Sequence, residues 1–352
     1  MILLDKIEFP NLFSGDINVN RVAFNLFGID VYWYGILIAI GVILGFAYAM
    51  RRTKKVGMVS DDVFDVAFIS TIFAFIGARA YYCIFYNNPL TGERYDFVTA
   101  VTGIHDGGLA IYGGIIAGVI TAIIVCRLKK IPVTPILDLA GCGFLIGQAI
   151  GRWGNFINQE AFGAPTAGDL PWGMTGNIIS SYPEVMEAQE QLGADKYALV
   201  HPCFLYESLW CILGFLLIHF IGNKLRSFDG EVFLYYVFWY GSGRAWIEGL
   251  RTDSLYIGSL RVSQVVAIAS TVLALIMIVY FRIYAKKHNK KLYVNTDASR
   301  ERLEKREKSL ALEKEYASAK KAMKEAEKAQ NAAVAPSILG DDNEASDDKK
   351  ED

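Results

Sequence analysis

YWYGILIAIGVILGFAYAM, residues Tyr32 to Met50, carries no charge, and Arg51-Arg52 close it. Roughly 20 apolar residues carry an α-helix across a hydrocarbon core, so a run of this kind reads as a membrane span. Within lipid the backbone has no water to bond, and the helix satisfies every internal amide. Comparable runs lie near Val63–Tyr86, Leu109–Cys126, Pro135–Ile150, Phe204–Gly222, Glu231–Gly249 and Val262–Tyr284. The expected fold is therefore all-α and polytopic, with seven transmembrane helices. The fourth run is short and glycine-rich, which points to tight packing or a partly re-entrant segment. The chain as a whole is 53% hydrophobic and 20% charged, which argues against a soluble protein of 352 residues.

Basic residues set the orientation. Arg51, Arg52, Lys54 and Lys55 follow the first run; Arg127, Lys129 and Lys130 follow the third. Lys224 and Arg226 follow the fifth, and Arg282, Lys286, Lys287, Lys290 and Lys291 follow the seventh. All fall on one face, assigned to the cytoplasm, with the N-terminus outside. Residues 1–31 form an extracytoplasmic segment, 32–284 the seven-helix domain and 285–352 a cytoplasmic charged tail. The 151–203 loop is too long for a simple connection and holds Pro165, Pro171 and Pro183, so a small irregular extracytoplasmic cap is expected. No cleavable signal pattern precedes the first run.

In the tail, Ser299–Gln330 favours helix, with Glu301/Lys305 and Glu304/Lys308 spaced for i,i+4 pairing. Pro336 and Gly340 end that pattern, and Asp341–Asp352 reads as disordered. The five cysteines form no CxxC pair and sit mostly in apolar runs, so neither a disulfide nor a metal site is expected. Leu139-Ala140-Gly141-Cys142 matches a lipobox, but it lies inside the fourth run and is read as coincidence.

Ionisable groups within or at the edge of membrane spans are costly and mark function by default. Here they are Arg79, Arg152, Glu160, His201, Glu207, Arg244, Glu248 and Arg251. With Tyr34 and Tyr112 they collect in one layer, at the outer leaflet. The inner half carries little beyond Asp138, Asp229 and Glu231. A proton or ion path needs polar groups through its whole depth, whereas a lipid headgroup needs them at one depth. Plainer readings compete: Arg244 and Glu248 as a mutually neutralising i,i+4 pair, Arg79 as a snorkelling side chain, the tyrosines as belt aromatics. The glycine pairs 107–108 and 113–114 around Tyr112 fit either helix packing or a tight turn that presents the phenol. Arg152 is harder to explain away. It lies in Gly151-Arg152-Trp153-Gly154-Asn155-Phe156-Ile157-Asn158, where small residues permit close approach and Arg and Asn supply donors. That suits an anion, and phosphate is the anion a bilayer offers.

Gly151 through Glu160 closely resembles the signature of bacterial phosphatidylglycerol–prolipoprotein diacylglyceryl transferases. Trp33-Tyr34-Gly35, Gly77-Ala78-Arg79, Gly107 to Gly114, His201 to Glu207 and Tyr240 to Arg251 match further blocks in the family's order, over about residues 25–284. The resemblance implies transfer of a diacylglyceryl group from phosphatidylglycerol to the lipobox thiol of a prolipoprotein, giving a thioether and glycerol phosphate. It implies Arg152 and Arg244 as the phosphate-neutralising pair and Asn155 as a headgroup donor or arginine orienter. Glu160, Glu248 and Tyr240 match positions that hold the arginines, Tyr34 and Arg79 line the lipid site, and Arg251 matches a further basic residue. Tyr112 stands where several members carry a His proposed as general base. A free Tyr has a pKa of about 10, so Tyr112 serves as a base only beside arginines and otherwise orients. That leaves His201, a carboxylate or no dedicated residue for the proton. Cys203 and Gln159 depart from the Ser and Gly common at those positions. The implied partners are phosphatidylglycerol, prolipoprotein lipobox peptides and the lipid bilayer, with no nucleic acid. The chain is expected to act as a monomer without cofactor, metal or nucleotide, at the bacterial cell membrane.

Overall fold

The structure, a computed structural model, describes residues 5–87, 95, 108–193, 197–252, 256–258 and 260–338. The chain divides into two units, Met1–Thr296 and Asp297–Asp352. In the first, six helices among the described residues are long and apolar enough to cross a membrane. They are α1 (Trp33–Arg52), α2 (Ser60–Phe85), α3 (Ile111–Lys129), α4 (Thr134–Asn158), α6 (Cys203–Leu225, with a π turn at Ile218–Gly222) and α8 (Val262–Lys287). Between α4 and α6 lies the short α5 (Pro183–Leu192). The expected sixth span is α7, Glu231–Ile247, only 17 residues long, prolonged by a 3₁₀ turn Glu248–Leu250.

The fourth span departs most from expectation. Expected to end at Ile150, α4 runs 25 residues to Asn158 and is the most enclosed of the six. Its apolar run stops at Gly151 because its last two turns face protein rather than lipid, so their polar side chains find partners there.

α4 packs against α1, α6 and α7. Against α1 the contact is made by two small-residue pairs, Gly41/Gly45 and Gly143/Gly147, each spaced by four. A Cβ on Gly45 would lie 2.7 Å from the Gly143 carbonyl oxygen, and one on Gly41 would lie 3.0 Å from the Gly147 Cα. Such spacing lets two backbones touch where lipid supplies no hydrophobic drive. α2 and α3 meet the same way at Gly77 and Gly113. α6 and α7 are pinned by Trp210 and Trp239, stacked 4.5 Å apart. Each indole N–H donates to the other's carbonyl, at 2.9 and 2.8 Å.

All-α describes the spans but not the rest of this unit. β1 (Asp5–Glu8) pairs with β2 (Asp16–Val19) and with β6 (Thr175–Gly176) in one antiparallel sheet. β3 (Val22–Leu26) and β4 (Ile29–Tyr32) form a hairpin that leads straight into α1. Between α4 and α6, β5 (Pro165–Thr166) pairs with β7 (Leu199–Val200). Ile7, Phe9, Phe156, Phe162, Met174, Ile179, Val185, Val200 and Phe204 make a common core. The described residues of β1, β2 and the region between α4 and α6 thus share one core.

At the other end of the bundle, Val56, Met58, Val63, Val66, Val125, Cys126, Ile131, Ile136 and Leu139 form a second core, with Tyr293 packed on it. The Tyr293 amide donates to Asp229 Oδ2 at 2.7 Å. The bundle unit therefore extends to Thr296, beyond the expected boundary at 285. The second unit contains α9, Asp297–Ile338, which ends between Pro336 and Gly340. The expected Glu301/Lys305 and Glu304/Lys308 pairs are not made; Arg306 pairs with Glu313 at 2.8 Å instead. Asp341–Asp352, like Gly107 and most of the 87–108 loop, lies outside the described residues.

Candidate active site

Three helix ends meet where α4 finishes, α6 begins and α7 finishes. α4 supplies Arg152 and Asn155, α6 supplies Glu207, and α7 with its 3₁₀ turn supplies Tyr240, Arg244 and Glu248. Glu207, only 2% exposed, sits at the centre. Its Oε1 accepts from Arg152 and, at 3.2 Å, from the Tyr240 hydroxyl. Its Oε2 accepts from Arg244 at 3.2 Å. Arg244 also pairs with Glu248 at 2.5 Å. On the other side Arg152 donates to Asn155 Oδ1 at 3.2 Å, and Asn155 Nδ2 donates to Glu160 Oε1 at 2.9 Å. Asn158 adds a donor to the same oxygen at 3.3 Å. The result is one chain of polar groups: Glu160, Asn155, Arg152, Glu207, Arg244, Glu248.

A buried charge without a partner is strongly destabilising, so the carboxylates make two neighbouring guanidiniums tolerable at this depth. They engage only part of each five-donor fork. The two arginine side chains keep 20% and 18% exposure, enough for a ligand to reach them. Tyr34 closes one side. Its ring occupies the space where a Cβ on Gly154 would stand, and its phenol lies beside Asn155, Glu160 and Arg152. An apolar groove of about 220 Å³ runs below this layer between α4 and α6, lined by Leu145, Ile146, Ala149, Ile150, Trp153, Ile212 and Phe215.

Seven expected site residues thus come together: Tyr34, Arg152, Asn155, Glu160, Tyr240, Arg244 and Glu248. The i,i+4 pairing of Arg244 and Glu248 exists, but it is one link of the longer chain. The other four lie outside it. Arg79 is 7% exposed. It donates to the Gly108 carbonyl at 3.2 Å and lies 5.3 Å from the Tyr95 ring. Tyr112 is half-exposed and contacts neither arginine of the chain. His201 Nδ1 meets the Tyr206 hydroxyl at 3.1 Å, and Trp172 donates to that hydroxyl at 2.5 Å. Burial lowers the His201 pKa below its usual value. Arg251 pairs through its backbone with Gly163, whose amide donates to the His201 carbonyl at 2.9 Å.

Two residues carry more than the sequence reading gave them. Glu207 stood out as an ionisable group in a span and as the end of a matching block, with no role assigned to it; its central place follows from where α6 starts relative to α4. Arg261 donates to the Glu248 carbonyl at 2.5 Å, and no pattern in the sequence marked it. Beyond the expected Asp138, Asp229 and Glu231, two further polar pairs lie within the bundle among the described residues. Tyr48 meets His219 at 2.9 Å, and Gln148 donates to Tyr236 at 3.0 Å, both within the bundle. At the far end Glu231 binds Arg282 and Tyr235. Each is closed on a partner from another helix or turn, which is how such groups are accommodated between spans.

A family model described as prolipoprotein diacylglyceryl transferase matches residues 21–280. A phosphatidylglycerol–prolipoprotein diacylglyceryl transferase of Finegoldia magna is 43% identical over 267 residues, covering 75% of this chain and 96% of the relative. One of Staphylococcus aureus strain JH9 is 39% identical over 284 residues, covering 80% and 94%. The matched region takes in α1 to α7, most of α8 and every residue of the polar chain, so this protein belongs to the prolipoprotein diacylglyceryl transferase family.

Proposed function

We propose that the Arg152–Glu207–Arg244 system takes the headgroup phosphate of phosphatidylglycerol while the diacylglyceryl group passes to a lipobox cysteine. Two guanidiniums converge on a single buried carboxylate above an apolar groove, and that observation carries the reading. An amphiphile with an anionic head and apolar chains fits both parts. In the transfer, the cysteine sulfur bonds to the glyceryl carbon as the carbon–oxygen bond to phosphate breaks. The thiol's proton passes to water, and glycerol phosphate leaves with the electron pair of the broken carbon–oxygen bond. Negative charge builds on the departing phosphate, where preorganised guanidiniums stabilise the transition state most. Their charge also lowers the thiol's pKa from about 8.5, which eases thiolate formation.

Glu207, Glu248 and Tyr240 hold the two arginines, and Asn155, anchored by Glu160, orients Arg152. Tyr34 shapes the headgroup pocket against Gly154. Arg79, His201 and Arg251 act at its margins: Arg79 on the α2–α3 side, His201 and Arg251 through the strand contacts at Gly163. Tyr112 orients substrate rather than accepting the proton, since no described arginine stands against it. In the bilayer, α7 makes the seventh span, and the polar chain lies at the outer leaflet with the N-terminus outside.

Purified protein incubated with phosphatidylglycerol and a Leu-Ala-Gly-Cys peptide is expected to add a diacylglyceryl group to the peptide thiol, read by mass. No gain from folded protein would refute the assignment. Arg152→Ala and Arg244→Ala are expected to abolish transfer and leave membrane insertion intact; near-normal turnover in either would remove its phosphate role.

A further inference from the structure

Gln159 is the first residue past α4, and nothing above gives it a task. It is fully buried, an uncommon state for a glutamine. Its backbone lies in the left-handed region, φ 53°, and Ala161 two residues on does too, φ 57°. Left-handed conformations are costly for residues with a Cβ and persist where surrounding structure enforces them. Here the enforcing contacts are visible. Gln159 Nε2 donates to the Lys6 carbonyl and to Asn177 Oδ1, both at 3.2 Å. Its Oε1 accepts from the amides of Ile178 and Ile179 at 3.2 and 3.3 Å. Asn177 Oδ1 in turn accepts from the Lys6 amide at 2.8 Å. A Cβ on Gly176 would collide with Gln159 Oε1, so the sheet is shaped to admit this side chain.

The primary amide is thus shared between β1 and the turn after β6, at the base of the extracytoplasmic sheet. Next in the chain stands Glu160, the first member of the polar chain. Its amide donates to the Asn155 carbonyl at 3.0 Å, and its carboxylate holds Asn155. Asn155 holds Arg152. We infer that Gln159 is a positioning residue: it fixes the Gln159–Ala161 turn against the N-terminal sheet and so sets Glu160, Asn155 and through them Arg152. The sheet then belongs to the catalytic machinery without touching substrate. This inference rests on the phosphate role of Arg152 proposed above.

Gln159→Gly tests it, since glycine takes φ 53° without strain and keeps the turn while deleting the amide. Asn177→Ala is the independent arm, because it removes one of the two Nε2 acceptors, the one in the turn after β6, and leaves Gln159 itself in place. Both are measured in the full-length protein with phosphatidylglycerol and the lipobox peptide, alongside Arg152→Ala and thermal unfolding. Each is expected to lower kcat about tenfold with KM for the lipid little changed, as misorientation without loss of contact does. The double variant is expected to cost less than the product of the two, because both break one linkage. Gln159→Asn, too short to span both partners, is not expected to restore the rate. Lower melting temperatures with kcat within about twofold of the parent in Asn177→Ala and in any folded Gln159→Gly would overturn the coupling and leave a structural clamp. An active Arg152→Ala would instead overturn the site reading.

Discussion

Glu207 decides whether two arginines can share a buried site. With Glu207→Gln the shape is kept and one negative charge is lost, so Arg152 and Arg244 repel without the shared carboxylate charge between them. Transfer is expected to fall about a hundredfold, in the range seen for loss of one preorganised electrostatic contact. Glu207→Ala is expected to lower stability as well, since it leaves two guanidiniums partly buried without their shared partner. Steady-state kinetics and thermal unfolding of both variants check this. His201 supplies a pH dependence. Its folded pKa lies below the ordinary value of 6.5 because burial disfavours the imidazolium. The unfolded chain therefore binds the proton more readily, and the stability held by neutral His201 is full above pH 6.5 and shrinks as pH falls toward the folded value. His201→Asn is expected to show a smaller loss of melting temperature between pH 7.5 and 5.5 than the parent. Equal losses would show that His201 contributes nothing to it.

At the scale of elements, glycines set how closely helices approach. Gly45→Ala would place a methyl 2.7 Å from the Gly143 carbonyl and is expected to force α1 away from α4, lowering the melting temperature. Gly151→Ala, on the same α4 with nothing within 4 Å of its Cβ position, is expected to raise stability by up to about 1 kcal/mol through helix propensity. The pair separates close approach from glycine's intrinsic cost. Both substitutions are small; only the neighbour differs. The fourth span shows why helix limits were harder to read than helix existence. Hydropathy reports what lipid tolerates, and it ended α4 at Ile150. The last two turns face Glu207 and Tyr34 across protein, where polar side chains are paired, so the helix continues to Asn158. The N-terminal strands escaped for a related reason: β1 finds its second partner, β6, far along the chain, and local pattern carries no sign of that pairing.

For the molecule as a whole, the boundary after the last span has moved. The Tyr293 amide holds Asp229, and its ring packs on the core around Val56 and Met58. Truncation after Thr296 is expected to leave transfer and stability unchanged, whereas truncation after Lys290 is expected to destabilise the protein. Melting temperature and turnover of the two truncated forms, purified side by side, decide it. Equal behaviour would return the boundary to the end of α8.

By itself the sequence determined the membrane class, the existence of six apolar helices and the family, because long uncharged runs and short ordered blocks are local features. It also marked Glu207, Arg244 and Glu248 as unusual, since charge within an apolar run needs no fold to be noticed, and the motif from Gly151 to Glu160 marked Arg152, Asn155 and Glu160. Tertiary structure alone decided that Glu207 lies between Arg152 and Arg244. It likewise decided that Arg79 and Tyr112 stand apart from them, and that Gln159 reaches back to Lys6. Those facts depend on how helix ends and strands distant in the chain are brought together. Arg152 and Arg244 are therefore legible as residues in the sequence, but as a pair converging on one buried carboxylate only once the helices are packed.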